Sequence, residues 1–182
     1  MRPPRECTRD GSGSRRVKPI ILIVLVAAAC ARPASPPTLR APLDSLSFYV
    51  GSWQCKGTDF VTAEQPTQGT WDARIEVEPE LDGTSLFVQM IGPGDSRTAE
   101  HKGYDPTTKT WHHVAVANSG FWAAMVSPGW VGDHMVFTPA GGGDPSERAT
   151  FTKRGEREYS HAVSRVTDHG EERVWEKVCR KS

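Results

Sequence analysis

Histidines and acids are the residues of this chain best suited to chemistry, but their spacing forms no known catalytic or metal-binding motif. The chain has six histidines. His112 and His113 are adjacent, so on a strand their side chains would point to opposite faces. No His-x-His, His-x3-His or Cys-x2-Cys spacing indicates a metal, and no nucleophile elbow, phosphate loop or dinucleotide fingerprint occurs. We therefore expect no metal, and any catalysis would need a buried general base such as His113 or Glu176.

Aromatic side chains point instead to a binding pocket. Six tryptophans in 182 residues is a high number, and cavities that bind small molecules are commonly lined by aromatic and other apolar groups. We therefore expect a pocket for a small, mainly apolar ligand. The alternative to a pocket is that the aromatic side chains only fill the interior or cover the outer face. The candidates for the pocket lining are Trp53, Trp71, Phe87, Trp111, His113, Phe121, Trp122 and His161.

The residues before Cys30 are typical of an export signal. A basic segment (residues 15–18) leads into an apolar run (residues 20–29) about half as long as the roughly 20 residues that span a bilayer. Cysteine directly after Val-Ala-Ala-Ala resembles the lipobox of bacterial lipoproteins, in which that thiol receives lipid and becomes the mature N-terminus. We expect cleavage of residues 1–29, lipid on Cys30 and attachment to the periplasmic face of a membrane in the cell envelope. Ala31 at the next position resembles the outer-membrane sorting pattern of two-membrane organisms, and cleavage without lipidation stays open.

Removal of the leader changes the charge of the protein. The full chain has 22 basic and 22 acidic residues, and residues 30–182 keep 16 and 20 of them, a net charge of −4. Nucleic-acid binding needs a concentrated positive face, which is missing, so we expect no nucleic-acid partner. No polybasic segment supports membrane binding either, so attachment would depend on the acyl chains. The expected partners are a small apolar molecule and the membrane; the oligomeric state stays open.

Two cysteines remain for the folded part. Cys7 leaves with the leader and Cys30 is assigned to lipid, which leaves Cys55 and Cys179. In an oxidising compartment such a pair is a candidate disulfide, and two free buried thiols are the alternative.

Strands are the elements that must position these residues. Residues 30–41 are rich in proline and predict a tether, and residues 42–182 have the size of one domain; the translation start, Met1 or Val17, stays open. One helix is predicted, over Pro42–Val50. Residues 71–78 and the segments after them alternate apolar and polar residues between turn signals, which predicts about ten strands. We expect a single antiparallel up-and-down barrel, with an open two-sheet sandwich as the alternative.

Two segments carry a resemblance to known barrels. The run Gly51-Ser-Trp53-Gln-Cys55-Lys-Gly57 resembles the Gly-x-Trp opening of lipocalin-like barrels. In the nitrobindin branch this opening reads Gly-x-Trp-x-Gly-x-Gly, and Cys55 replaces the middle glycine. Residues 103–120, followed by Ser-Pro-Gly-Trp at 127–130, resemble an uncharacterised bacterial family of small calycin-like barrels, a domain of unknown function.

The resemblance implies a closed barrel with an internal cavity. The first and last strands are neighbours in such barrels, which would bring Cys55 and Cys179 together. Trp53 would plug one end, with Arg180 as a stacking partner. The nitrobindin branch also implies haem on one histidine of a late strand, and His161 is the nearest candidate by position.

Three classes of function therefore remain open. A cavity of about 300 Å³ or more lined by Trp and Phe would favour ligand carriage. A filled interior would favour an envelope interaction module that binds through loops such as residues 129–132 and 140–144. A buried carboxylate–histidine pair in the cavity would favour a small barrel enzyme.

Overall fold

The computed structural model describes residues 38–182. The predicted signal peptide (1–29), Cys30 and residues 31–37 of the tether lie outside this range, so cleavage and lipidation stay predictions. Within it, no helix is both long enough and apolar enough to cross a membrane.

Antiparallel strands joined in sequence order form a closed barrel. Strands pair in sequence order, except that β6 (Trp122–Ser127) pairs with β8 (His134–Gly142) and not with β7 (Trp130–Val131), and the first strand pairs with the last, which closes the circle. The predicted ten-stranded up-and-down barrel is thus confirmed, and the open sandwich is not formed. A further strand of two residues, β7, pairs with β8 alone. The strands are β1 (Gly51–Asp59), β2 (Gly69–Glu80), β3 (Ser85–Ile91), β4 (Arg97–Asp105), β5 (Thr110–Ala117), β6 (Trp122–Ser127), β7 (Trp130–Val131), β8 (His134–Gly142), β9 (Glu147–Lys153), β10 (Glu158–Thr167) and β11 (Gly170–Lys181).

A short helix packs across one end of the barrel. The predicted helix is present as a 3-10 helix over Leu43–Tyr49, with no side-chain N-cap hydrogen bond. Its apolar residues, including Phe48 and Tyr49, are buried in the core. The indole Nε1–H of Trp53 donates a hydrogen bond to the carbonyl oxygen of Tyr49 at 2.8 Å. Trp53 and the helix together fill this end, which we call the closed end.

The residue beside Trp53 is Lys181, not Arg180. Side chains alternate between the two faces of a strand, and Lys181 is the residue opposite Trp53 in the β1–β11 register. Its ammonium lies 5.4 Å from the centre of the indole. Arg180 faces outward, where its Nε donates to Glu158 at 2.9 Å. The predicted stacking partner was therefore wrong by one position, which on a strand means the opposite face.

A disulfide joins the first strand to the last. Cys55 and Cys179 are direct partners in the β1–β11 pairing and are bonded to each other. The candidate disulfide is confirmed, and the alternative of two free thiols does not apply. Because 124 residues separate the two cysteines, the bond restricts the unfolded chain over almost the whole domain.

Candidate functional site

A cavity occupies the barrel interior beyond the aromatic core, toward the end away from the short helix. Its volume is about 180 Å³, which is below the 300 Å³ or more that would favour ligand carriage. It nevertheless shows that the interior is not filled. Apolar residues form much of its wall, and four ionisable residues share one part of it. The apolar residues include Met90, Ala115, Phe121, Met125, Val163 and Trp175. The four ionisable residues that lie together are Glu100, His113, His161 and Lys177.

A buried carboxylate organises the ionisable residues. The Oε2 atom of Glu100 accepts hydrogen bonds from Lys102 Nζ at 2.6 Å and from His113 Nε2 at 3.0 Å. Each of the three residues is at most 5 % exposed. Glu100 and Lys102 share the inner face of β4, and His113 is opposite Lys102 on β5. Burial alone would raise the pKa of Glu100, but the charge of Lys102 and the hydrogen bond from His113 hold it well below its usual range.

His113 remains neutral in this cluster. Burial is the main cause that lowers the pKa of His113, and the nearby Lys102 ammonium lowers it further. Together these effects outweigh Glu100, which raises the pKa. An ionised carboxylate can only accept hydrogen bonds, so the Nε2 atom of His113 carries the proton that is shared with Glu100. The Nδ1 atom is then left with its lone pair. This is the geometry of a buried carboxylate–histidine pair.

Lys177 is a second buried cation in the same wall. Its side chain on β11 is 3 % exposed, and its Nζ donates to the thioether sulfur of Met90 at 3.3 Å. Thioether sulfur is a weak acceptor. The ammonium also lies 5.6 Å from the centre of the Trp175 ring. Burial lowers its pKa from 10.5 to about 8, although Glu100 opposes the fall.

His161 lies beside Lys177 in the β10–β11 register. Its ring packs against Trp175 at 5.1 Å and against His113 at 6.3 Å, measured between ring centres. Burial, and then the charge of Lys177, lower its pKa well below the usual range, so the ring is neutral.

The surroundings of His161 do not fit haem. A cavity of about 150 Å³ is known to accept benzene, and a space of similar size cannot hold a porphyrin. In the part of the chain that the structure describes, His, Cys, Asp and Glu form no cluster of three or more suited to a metal ion.

Arg165 and three acids lie toward the end of the barrel opposite the closed end, which we call the open end. The guanidinium forms ion pairs with Glu64 at 2.6 Å, Asp144 at 3.1 Å and Glu147 at 3.7 Å. Asp144 and Glu147 also line the cavity. Arg165 follows His161 by four residues on β10, roughly 13 Å along a strand. With three acids against one arginine, this group carries a net negative charge.

The structure distributes the eight predicted lining residues over four places: the cavity wall, the space beside it, the packed core and the outer face. His113, Phe121 and His161 line the cavity. Trp71 faces inward beside it and packs on Trp175 at 6.3 Å between ring centres. Trp71 can do so because residue 57 opposite it is glycine, where a Cβ would lie 2.1 Å from the indole.

The other four lie elsewhere. Trp53 and Trp111 belong to the packed core. Phe87 is on the outer face of β3 against His101, at 5.0 Å between ring centres. Trp122 is 52 % exposed and pairs with the outward Val116. Phe87 and Trp122 are thus corrected to outer-face positions, because neighbouring residues of a strand alternate between its faces.

Sequence reasoning named the wrong buried acid. Glu176 faces outward and forms ion pairs with Arg154 at 3.1 Å and Arg173 at 3.2 Å. The buried acid is Glu100, which was missed together with Lys102 and Lys177. One signal for Lys177 was present in the sequence: it lies two residues before Cys179, so a disulfide inside the barrel places both side chains on the inner face.

Comparison with known proteins supports the fold only. No protein-family model matches the chain, and the search of curated proteins found no relative. The crystal structure of Rv2717c from M. tuberculosis is similar to this chain with a TM-score of 0.60 and 14 % sequence identity. The match covers 79 % of this chain and 99 % of Rv2717c. At this level of identity, the likeness shows that both chains form the same kind of barrel and carries no function from one to the other.

Proposed function

We propose that this protein is an exported, lipid-anchored β-barrel that binds a small, mainly apolar molecule in its cavity. The observation that carries the proposal is the cavity itself, which remains open in a barrel whose closed end is densely packed with aromatic rings. Because its volume of about 180 Å³ is close to that of a cavity that accepts benzene, the ligand has about ten non-hydrogen atoms or fewer.

Export and anchoring rest on the sequence before residue 31. The leader of residues 1–29 and Cys30 have the order of a bacterial lipoprotein signal. The bond between Cys55 and Cys179 supports this assignment, since stable disulfides are typical of oxidising, extracytoplasmic compartments. Membership of the calycin-like family of unknown function, proposed from residues 103–120 and 127–130, agrees with a closed barrel.

The anchor is tested by changing Cys30 in the native host. We expect the wild-type protein in the membrane fraction, with an intact mass equal to residues 30–182 plus acyl groups. Cys30→Ser should move the protein to the soluble periplasmic fraction or leave the leader uncut. A wild-type protein without added lipid mass would contradict the anchor.

Ligand binding is tested with a pair of variants on β5. Ala115 lines the cavity, whereas the next residue, Val116, faces outward and is 54 % exposed. Ala115→Phe should fill the cavity and weaken binding of benzene and toluene at least tenfold, measured by ligand-observed NMR. Val116→Phe adds a ring of the same size outside and should leave binding unchanged. Equal effects of the two variants, or no binding to the wild type, would refute a ligand site in the cavity.

Acid–base catalysis is a second candidate function, favoured by the Glu100–His113 pair at 3.0 Å in the cavity wall. A neutral histidine held by a buried carboxylate can take a proton from a bound substrate. Native mass spectrometry of protein from its own envelope would identify a co-purified ligand. Turnover of that ligand by the wild type, with loss in His113→Gln, would establish catalysis; unchanged ligand would leave binding alone.

A further inference from the structure

We propose that the ligand of this cavity is a small aromatic or aliphatic carboxylic acid and that the Lys177 ammonium binds its carboxylate. The proposal rests on the proposed function, because it names the chemical class of the molecule held in the same cavity. It follows from a surplus of positive charge that the protein leaves unpaired in the cavity wall.

The surplus is counted from the buried ionisable groups that face one another. Glu100 contributes one negative charge, and Lys102 and Lys177 contribute two positive charges. His113 and His161 are neutral because burial and the neighbouring ammonium groups lower the pKa of each. One positive charge therefore remains without a counterpart in a part of the interior that water barely reaches.

The unpaired charge belongs to Lys177. Lys102 forms the short ion pair with Glu100 at 2.6 Å, whereas no carboxylate of residues 38–182 forms an ion pair with Lys177. An ammonium has three N–H donors, and among the described residues only the Met90 sulfur accepts one of them, at 3.3 Å. A buried charge without a partner is strongly unfavourable, and such groups are typical of binding and catalytic sites.

A monocarboxylate matches this environment better than a phosphate does. It has one negative charge, which balances one surplus ammonium, whereas a phosphate dianion would bring a second charge into the same wall. The remaining wall is apolar, with Met125, Val163 and Trp175 among the residues that line it. An apolar body of benzene size with one carboxylate would therefore pair its charge with Lys177 and bury its ring against these side chains.

The acids at the open end do not cancel the surplus. Asp144 and Glu147 both form ion pairs with Arg165 at the open end, as does Glu64. Their partner Arg165 lies on β10 four residues beyond His161, the residue opposite Lys177, which is about 13 Å along the strand. These acids oppose the entry of an anion, but each is paired with Arg165 and none forms an ion pair with Lys177.

The experiment compares benzoate with benzamide, which has the same shape and no charge. Isothermal titration calorimetry at pH 7 and 0.15 M salt is run on the wild type, Lys177→Met and Lys181→Met. Lys181 is the matched control, because it lies four residues further along β11 on the same inner face, at the closed end. We expect the wild type and Lys181→Met to bind benzoate at least tenfold more tightly than benzamide. Lys177→Met should lose this preference and keep its affinity for benzamide.

The possible outcomes separate this proposal from the proposed function. Benzamide binding without any preference for benzoate in the wild type would overturn the carboxylate proposal and leave the apolar site in place. Benzoate binding that survives Lys177→Met would overturn the role of Lys177. Failure of the wild type to bind benzoate, benzamide and benzene would refute the ligand site, and the carboxylate proposal with it.

Discussion

Replacement of Lys177 by methionine should make the protein more stable. Burial of the ammonium against the Met90 sulfur lowers its pKa from 10.5 to about 8, which means that the folded state holds the proton less well than the unfolded chain does. Methionine has a similar length and flexibility and no charge, so it can occupy the same space. Glu100 keeps its ion pair with Lys102 in the variant.

The size of the effect follows from the two pKa values. Each pKa unit corresponds to about 1.4 kcal/mol, so below pH 8 the buried charge lowers the free energy of unfolding by about 3 kcal/mol. Because the folded-state pKa lies below the unfolded-state value, the unfolded chain binds more protons between pH 8 and 10.5. The destabilisation is therefore complete below pH 8 and disappears as the pH rises through this window. The difference in the free energy of unfolding between Lys177→Met and the wild type should shrink by the same amount over this pH range.

Urea unfolding followed by tryptophan fluorescence, at pH values from 6 to 10.5, measures this difference. Lys56→Met is the control, because the Lys56 side chain is 84 % exposed and its ion pair with Asp72 lies in solvent. A Lys177→Met protein that is equally stable or less stable at pH 7 would refute the reasoning. A stability difference that does not change between pH 7 and 10 would show that Lys177 has an ordinary pKa.

Three further predictions follow from the same contacts. Benzoate affinity of the wild type should be constant from pH 6 to 7.5 and fall above pH 8, as Lys177 loses its proton, while benzamide affinity stays level by calorimetry. Glu100→Gln should lower the free energy of unfolding by about 3–5 kcal/mol at pH 7, because Lys102 loses its buried partner. Since the pKa of Glu100 is depressed, this difference should fade as the pH drops below 4.5. Removal of the disulfide by Cys55→Ala and Cys179→Ala together should lower the free energy of unfolding by about 4–5 kcal/mol, with a smaller loss indicating residual structure in the unfolded chain.

The barrel could be predicted because each strand has a local signal. In β2, Ala73, Ile75 and Val77 alternate with charged residues, and the structure buries these three on the inner face. Turn residues then separate one such strand from the next. The length and order of these segments were sufficient for an up-and-down meander, whose ends meet when it closes.

The candidate site was harder to predict because its strands lack this contrast. In β4, Thr98, Glu100, Lys102 and Tyr104 share the inner face, while Ala99, His101 and Gly103 share the outer one. Neither set is apolar, so alternation could not tell which face is buried. His113 and His161 were named individually, but nothing local indicated that they would meet across the barrel.

The sequence by itself determined the run of short antiparallel strands and left Cys55 and Cys179 as a candidate disulfide, because periodicity, turn chemistry and a cysteine count are readable along the chain. Only the tertiary structure decided that Glu100, His113, His161 and Lys177 share one cavity wall. These residues come from four strands, and their approach depends on the register of pairings between strands far apart in the chain. The charge balance of a site is a property of such long-range contacts, so the unpaired ammonium of Lys177 became visible only in the folded barrel.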